Sequence, residues 1–176
     1  MDTKLKQNII RTPIGEMITL ATETGLNFLE FQKPTRSKLL EQRLKKWYAS
    51  FKLIEGENEI IEQTIAWLDD YFKGNFEKLK TPPLEMRGTD FEKSVWEELK
   101  NISIGQTVTY GQMAERMGKP QSARAVGSGT RRNPVSLIIP CHRVIGGDGT
   151  LTGYGGGLEN KKWLLEHEKK VDLKKS

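Results

Sequence analysis

Between Lys73 and Gly88 the hydrophobic pattern of this 176-residue chain lapses. Gly74, Lys78, Lys80 and the pair Pro82-Pro83 interrupt helical and strand periodicity alike, which predicts a linker between two small units, residues 1–88 and 89–176. Upstream of it, Asn8–Thr12, Gly15–Thr22 and Gly25–Phe31 are short runs rich in Ile, Thr and Phe. The turns Pro13-Ile14-Gly15 and Glu23-Thr24-Gly25 separate them, so they predict a three-stranded antiparallel meander. Leu40, Leu44, Trp47, Tyr48 and Phe51 then form the apolar stripe of a helix capped by Thr35 or Ser37. Ile61, Ile65, Leu68 and Phe72 predict a second helix from about Asn58 to Phe72.

Downstream the composition becomes helical. Thr89-Asp90-Phe91-Glu92 is a capping box, with Phe91, Val95, Trp96 and Leu99 on one face of the helix it opens. Two short helical patterns, about Tyr110 to Met117 and about Gln121 to Arg131, meet at Gly118-Lys119-Pro120 and predict a helix-turn-helix. Leu158–Lys169 reads as a last helix and Lys169–Ser176 as a solvated tail. The fold class is α+β: a small antiparallel sheet with helices, then a mostly helical domain.

The net charge of +5 is modest, but its placement is not even. Residues 1–109 carry a net of −1 and residues 144–176 a net of +1. Residues 110–143 hold Arg116, Lys119, Arg124, Arg131, Arg132 and Arg143 against Glu115 alone, which predicts a phosphate-facing surface. No apolar run approaches the roughly 18 residues of a membrane span and the N-terminus carries no signal-peptide core, so the expected address is cytoplasmic or, in a eukaryote, nuclear.

There is one cysteine, so an internal disulfide is excluded, and with two histidines it cannot supply the usual closed set of zinc ligands. Cys141 follows the apolar run Val135–Ile139 and precedes His142, close to the basic stretch. A lone cysteine is commonly a small buried hydrophobe. Here positive neighbours favour the thiolate that a nucleophile needs. In an extended segment Cys141 and His142 would point to opposite faces, so His142 is expected to act through a water. Glu166 and Glu168 could each reach that histidine as an orienting carboxylate, although helix periodicity alone favours a solvated charge for either.

Ser122-Ala123-Arg124-Ala125-Val126-Gly127-Ser128-Gly129 is almost all small side chains around one arginine. Such a helix either packs tightly within its domain or lies close along nucleic acid with Arg124 as a probe. It has little with which to read base edges, so binding should be weakly sequence-specific. The glycine-rich segments Gly146–Gly149 and Gly153–Gly157 are turns, or places where backbone approaches a flat ligand; neither is a phosphate cradle.

The run Ile139-Pro140-Cys141-His142-Arg143-Val144, preceded by Arg132-Asn133-Pro134-Val135, resembles the active-site signature of the O6-alkylguanine-DNA alkyltransferases, the methylated-DNA–protein-cysteine methyltransferases. Thr109–Ala114, Ala123–Gly127, Gly153-Tyr154 and Lys162–Glu168 look like further family segments in the expected order. The likeness covers roughly Phe91 to Glu168; the first 90 residues resemble the family only in length and pattern.

The resemblance implies a ribonuclease H-like first domain and a winged-helix-like second one. It implies irreversible, single-turnover transfer of a methyl or alkyl group from O6-alkylguanine, and from O4-alkylthymine, in double-stranded DNA to Cys141. Under it His142 is the base, Glu168 its orienter, Asn133 the brace of the active-site turn and Tyr110 a donor to the guanine ring. Arg124 fills the stack where the nucleotide has flipped out. Ala123, Ala125, Gly127, Arg131 and Arg132 meet DNA in the minor groove, and Val144, Tyr154, Gly155 and Lys161 line the base pocket or position the nucleophile. The implied protein is a monomer without metal or cofactor. Two departures stand out: the N-terminal zinc ligands of some members are lacking, and Ser136 stands where some members carry proline. A module that binds damage without reacting, a sequence-specific regulator and a multiple-turnover cysteine hydrolase are the competing classes. The cysteine, the small-residue helix and a stoichiometric end point discriminate against them in turn.

Overall fold

The structure is a computed structural model describing residues 1–175, and the chain divides into two compact units, Met1–Arg87 and a second beginning at Gly88. In the first unit, strands β1 (Thr3–Thr12), β2 (Gly15–Ala21) and β3 (Leu26–Phe31) form the expected antiparallel meander. Helix α1 (Pro34–Trp47) follows, then strand β4 (Phe51–Glu55) and helix α2 (Glu59–Lys73). Strand β4 pairs parallel to β1, so the sheet is mixed rather than antiparallel, in the order β3-β2-β1-β4. Phe51 belongs to this strand and not to the preceding helix, because Tyr48 already leaves the helix with extended dihedrals (φ −124°, ψ 124°). The α1 cap is also not the expected one: the N-cap is Lys33, with Pro34 pre-set for the first turn.

Sheet alternation divides the core of this unit. Leu5, Leu20 and Phe28 meet Leu44 and Tyr48 of the α1 end, with Leu40, Trp47 and Phe51 packed around them. On the other face Ile10 shares a wall with Ile65, Leu68 and Phe72 of α2. Each large side chain so buried contributes about 1.5–3 kcal/mol. The segment read as a linker is tied down: Leu26 N–H donates to the Pro83 carbonyl at 2.8 Å, and Glu85 N–H to the Leu26 carbonyl at 2.9 Å.

In the second unit, α3 (Asp90–Leu99) opens on the expected capping box, Thr89 and Glu92 each accepting the other's backbone N–H. Helices α4 (Tyr110–Arg116) and α5 (Ala123–Arg131) form the helix-turn-helix, with Gly118 at φ 69° in the turn and Lys119 N–H closing on the Ala114 carbonyl at 2.8 Å. Fully buried Trp96 of α3 donates from its indole to the Gly129 carbonyl at 3.0 Å, fixing α5 against α3. Two-residue strands β5 (Val108–Thr109) and β6 (Val144–Ile145) pair in parallel. Helix α6 (Leu158–Lys175) continues through most of the segment read as a tail, whose last residue, Ser176, lies outside the described residues. Among the described residues no helix is long and apolar enough to cross a membrane.

Candidate active site

The chain around Cys141 is folded back on itself by its own polar groups. Leu137 sits in the left-handed region at φ 72°, a conformation that costs a non-glycine residue about 1–2 kcal/mol. Buried Asn133 holds the loop from inside: its Oδ1 accepts Val135 N–H at 3.0 Å and its Nδ2 donates to the Ile139 carbonyl at 2.8 Å. Pro140 (φ −81°, ψ 63°) makes an inverse γ-turn, so that Cys141 N–H reaches the same Ile139 carbonyl at 2.8 Å. Cys141–Arg143 is then one turn of 3₁₀ helix rather than the extended segment expected, and Cys141 is 9% exposed.

His142 is wholly buried, and its Nε2 lies 2.7 Å from Oε1 of Glu168 on α6. Arg143 forks onto the same carboxylate, Nη2 to Oε1 at 2.8 Å and Nε to Oε2 at 2.9 Å, and spends Nη1 on the Ile102 carbonyl at 2.7 Å. Gly105 N–H approaches Oε2 at 3.4 Å. Burial works against ionising Glu168, but the hydrogen bonds of His142 and Arg143 and the charge of Arg143 outweigh it and hold the carboxyl well below the usual carboxylate range. Burial lowers the His142 pKa, with Glu168 opposing and Arg143 and Lys161 assisting. At neutral pH the pair is therefore carboxylate and neutral imidazole. An ionised Glu168 can only accept, so the imidazole proton is assigned to Nε2 and Nδ1 carries the lone pair. That Nδ1 is buried and has no hydrogen-bond partner among the described residues.

Lys161 is 1% exposed and donates to the carbonyls of Val144 (2.6 Å) and Thr152 (2.8 Å). Burial lowers its pKa to about 8, and a thiolate at Cys141 acts in the opposite direction. The Tyr154 ring lies edge-on to His142, with centroids 6.5 Å apart.

The β5–β6 pair sets Val108 and Thr109 beside Val144 and Ile145, which brings Tyr110, the next residue, toward the turn. Tyr110 opens α4 behind a second capping box, Thr109 with Gln112, that the sequence reading missed although T-x-x-Q was there to be seen. On α5, Arg124 and Ala125 are exposed and Ala123 is half-buried, whereas Gly127 is buried. A Cβ at Gly127 would lie 3.5 Å from the Tyr110 ring, an ordinary contact, so this glycine faces that ring rather than an outside partner.

Two family models cover nearly the whole chain: the ribonuclease-like domain of 6-O-methylguanine DNA methyltransferase matches residues 5–86, and the DNA binding domain of the same family matches residues 90–170. A methylated-DNA–protein-cysteine methyltransferase of Shigella flexneri is 39% identical over 94% of this chain and 96% of its own length. The chain belongs to the 6-O-methylguanine DNA methyltransferase family. A relative of the same name from Methanosarcina barkeri is 42% identical over 92% of this chain and 95% of its own. Among solved structures, a Mycobacterium tuberculosis O6-methylguanine methyltransferase matches with a TM-score of 0.76 at 35% identity, covering 95% of this chain and 94% of that one. A Mycobacterium tuberculosis protein crystallised in complex with DNA matches at 0.78 and 34% identity, covering 96% and 94%.

Against the expectations for a methyltransferase of this family, the structure gathers Cys141, His142, Glu168, Asn133, Lys161, Val144 and Tyr154 around one turn. A second group lies where a Cβ at Gly153 would fall 3.4 Å from the Arg131 side chain and 3.7 Å from the Tyr110 hydroxyl. Gly155 is half-buried in the loop between β6 and α6. Glu166 is exposed, which resolves the choice of carboxylate in favour of Glu168. Arg132 is exposed but leans on Glu92 at 3.4 Å. Arg143 departs most from expectation: counted with the phosphate-facing cations, it is 6% exposed and faces inward onto Glu168. The signal was its position between the apolar run Val135–Ile139 and the pair Val144-Ile145, where a charge must find a partner.

Proposed function

We propose that this protein repairs DNA as a methylated-DNA–protein-cysteine methyltransferase, moving the alkyl group of O6-alkylguanine, and of O4-alkylthymine, onto its own Cys141. One observation carries the reading: the sole cysteine stands next to a buried histidine whose Nε2 is taken by a carboxylate and whose Nδ1 is left with a lone pair. A water between Nδ1 and Sγ passes the thiol proton to His142, and Glu168 balances the imidazolium. The thiolate attacks the methyl carbon, the S–C bond forms and the C–O6 bond breaks with its electron pair leaving on guanine. Tyr110 and the imidazolium return a proton to the departing base. The product thioether has no hydrolytic exit, so each molecule reacts once.

The methyl carbon lies inside the duplex, and reaching it requires extruding the nucleotide at a cost of a few kcal/mol. Exposed Arg124 fills the gap. Ala123, Arg124 and Ala125 present a low surface suited to a minor groove about 6 Å wide, too narrow for a helix of about 10 Å with ordinary side chains. Arg131 and Arg132 supply phosphate contacts, and Gly127 backs the Tyr110 ring from within the domain. Asn133 braces the turn, Lys161 holds Val144 in place, and Val144, Tyr154 and Gly155 flank the base. With few base-reading groups the monomer binds duplex DNA with little sequence preference.

Intact mass with peptide mapping, after incubation with an oligonucleotide bearing O6-methylguanine, tests the reading. The expected result is one added methyl group on Cys141 and no more. An unchanged mass with DNA still bound would leave a damage-binding module instead.

A further inference from the structure

Arg143 has no part in the reaction as set out above, yet it makes more hydrogen bonds to Glu168 than His142 does. We propose that Arg143 is a positioning residue for alkyl transfer: by forking onto both oxygens of Glu168 it fixes that carboxylate as a pure acceptor, and so keeps the His142 proton on Nε2 and the lone pair on Nδ1.

A carboxyl group offered to a histidine can play either part. Ionised, it accepts from Nε2–H; protonated, it donates to Nε2 and sends the imidazole proton to Nδ1, where no proton can be received. Guanidinium has donors only and a permanent positive charge, so the oxygens that meet it accept and the carboxyl they belong to is held ionised. Arg143 meets both oxygens, at 2.8 and 2.9 Å, in the bidentate geometry that a lysine cannot reproduce. Its remaining contact, Nη1 to the Ile102 carbonyl at 2.7 Å, anchors the fork to the segment after α3. Stability alone does not call for this arrangement, because apolar residues of similar volume commonly replace a buried ion pair at no loss. The charged and polar groups that face His142 and Glu168 include Lys161 from α6, Arg143 from the Cys141 turn, the Tyr154 ring and the Gly105 N–H.

The inference rests on Cys141 being the acceptor. The experiment measures, for the full chain and for Arg143→Lys, the rate of self-methylation by an O6-methylguanine oligonucleotide across pH, and the nitrogen NMR shifts of the His142 ring. The wild-type ring should show a single Nε2–H tautomer. Arg143→Lys, with duplex binding retained, should react about 10- to 100-fold more slowly at neutral pH, as expected for loss of a group that orients a working side chain. Its pH profile should shift and its His142 should populate both tautomers. A folded Arg143→Lys that reacts at the wild-type rate, or reacts slowly while keeping a single Nε2–H tautomer, overturns the proposal. So does a wild-type His142 protonated on Nδ1, a result available even if the variant does not fold. A wild type that gains no methyl group would instead refute the repair reading itself.

Discussion

Lys161 donates from Nζ to the Val144 carbonyl at 2.6 Å and thereby ties the residue leaving the Cys141 turn to the start of α6. Its pKa, lowered by burial to about 8, is supported by negative charge on Cys141. A free thiol can ionise in the pH range where Lys161 titrates and a thioether cannot, so methylation of Cys141 should lower the Lys161 pKa further. A ¹³C NMR titration of the Lys161 side chain before and after reaction checks this; an unmoved pKa would sever the link between the two groups. Between pH 8 and the ordinary 10.5 the unfolded chain binds more protons at this site than the folded one, so the contribution of Lys161 to stability rises with pH in that window.

The buried pair acts in the same direction at lower pH. Glu168 is held below its ordinary 4.5, so its stabilising contribution is present above that value and is lost as pH falls below it. His142 is held below 6.5, so the unfolded chain takes up its proton first and stability also falls as pH drops beneath 6.5. Urea unfolding at pH 7, 5.5 and 4 should show a progressive loss. In His142→Asn the loss between pH 7 and 5.5 should flatten; an unchanged slope would place the titration elsewhere.

Asn133→Ala should destabilise the protein by about 2–4 kcal/mol, since the Val135 N–H and the Ile139 carbonyl each lose a buried partner. The reaction should slow as well, because that carbonyl also receives the Cys141 N–H. Denaturant melts and self-methylation rates on one preparation separate the two effects.

Much of the fold was legible because local chemistry spoke for it. Asn58 caps α2 with its side chain on Ile61 N–H, Thr89 and Glu92 form their box, and Gly118 turns α4 into α5. What was hidden depends on distant partners. Strand β4 was absorbed into the helical stripe since Phe51 falls in phase with Tyr48, and only pairing with β1 makes a strand of it. Two-residue β5 and β6 carry no periodicity at all. At the site, neighbourhood in sequence pointed to Cys141 and His142, but the inward turn of Arg143 follows from Glu168, 25 residues away.

Gly127 and Gly129 look alike in sequence and should respond differently to alanine. A Cβ at Gly127 meets the Tyr110 ring at 3.5 Å, an ordinary contact, so Gly127→Ala should be neutral or stabilise by up to about 1 kcal/mol through helix propensity. At Gly129 it would meet Val95 at 3.1 Å, between helices pinned by Trp96, and Gly129→Ala should cost about 1–3 kcal/mol. Thermal unfolding of the two variants reads the contrast.

Arg124→Ala should leave reaction with free O6-methylguanine unchanged while slowing repair of duplex DNA about 10-fold or more, the price of an unfilled stack of a few kcal/mol. Equal losses on both substrates would remove its role in extrusion. Raising salt should weaken duplex binding in both proteins, with a slope of about −0.9 for each phosphate contacted.

Because Cys141 is the sole thiol and sits at 9% exposure, a thiol reagent small enough to enter the turn has one address in the whole molecule. Unreacted copies will take such a label and spent copies will not. A population of this protein thus keeps a molecular tally of the lesions it has met, readable from a single gel lane as the fraction that no longer lights up.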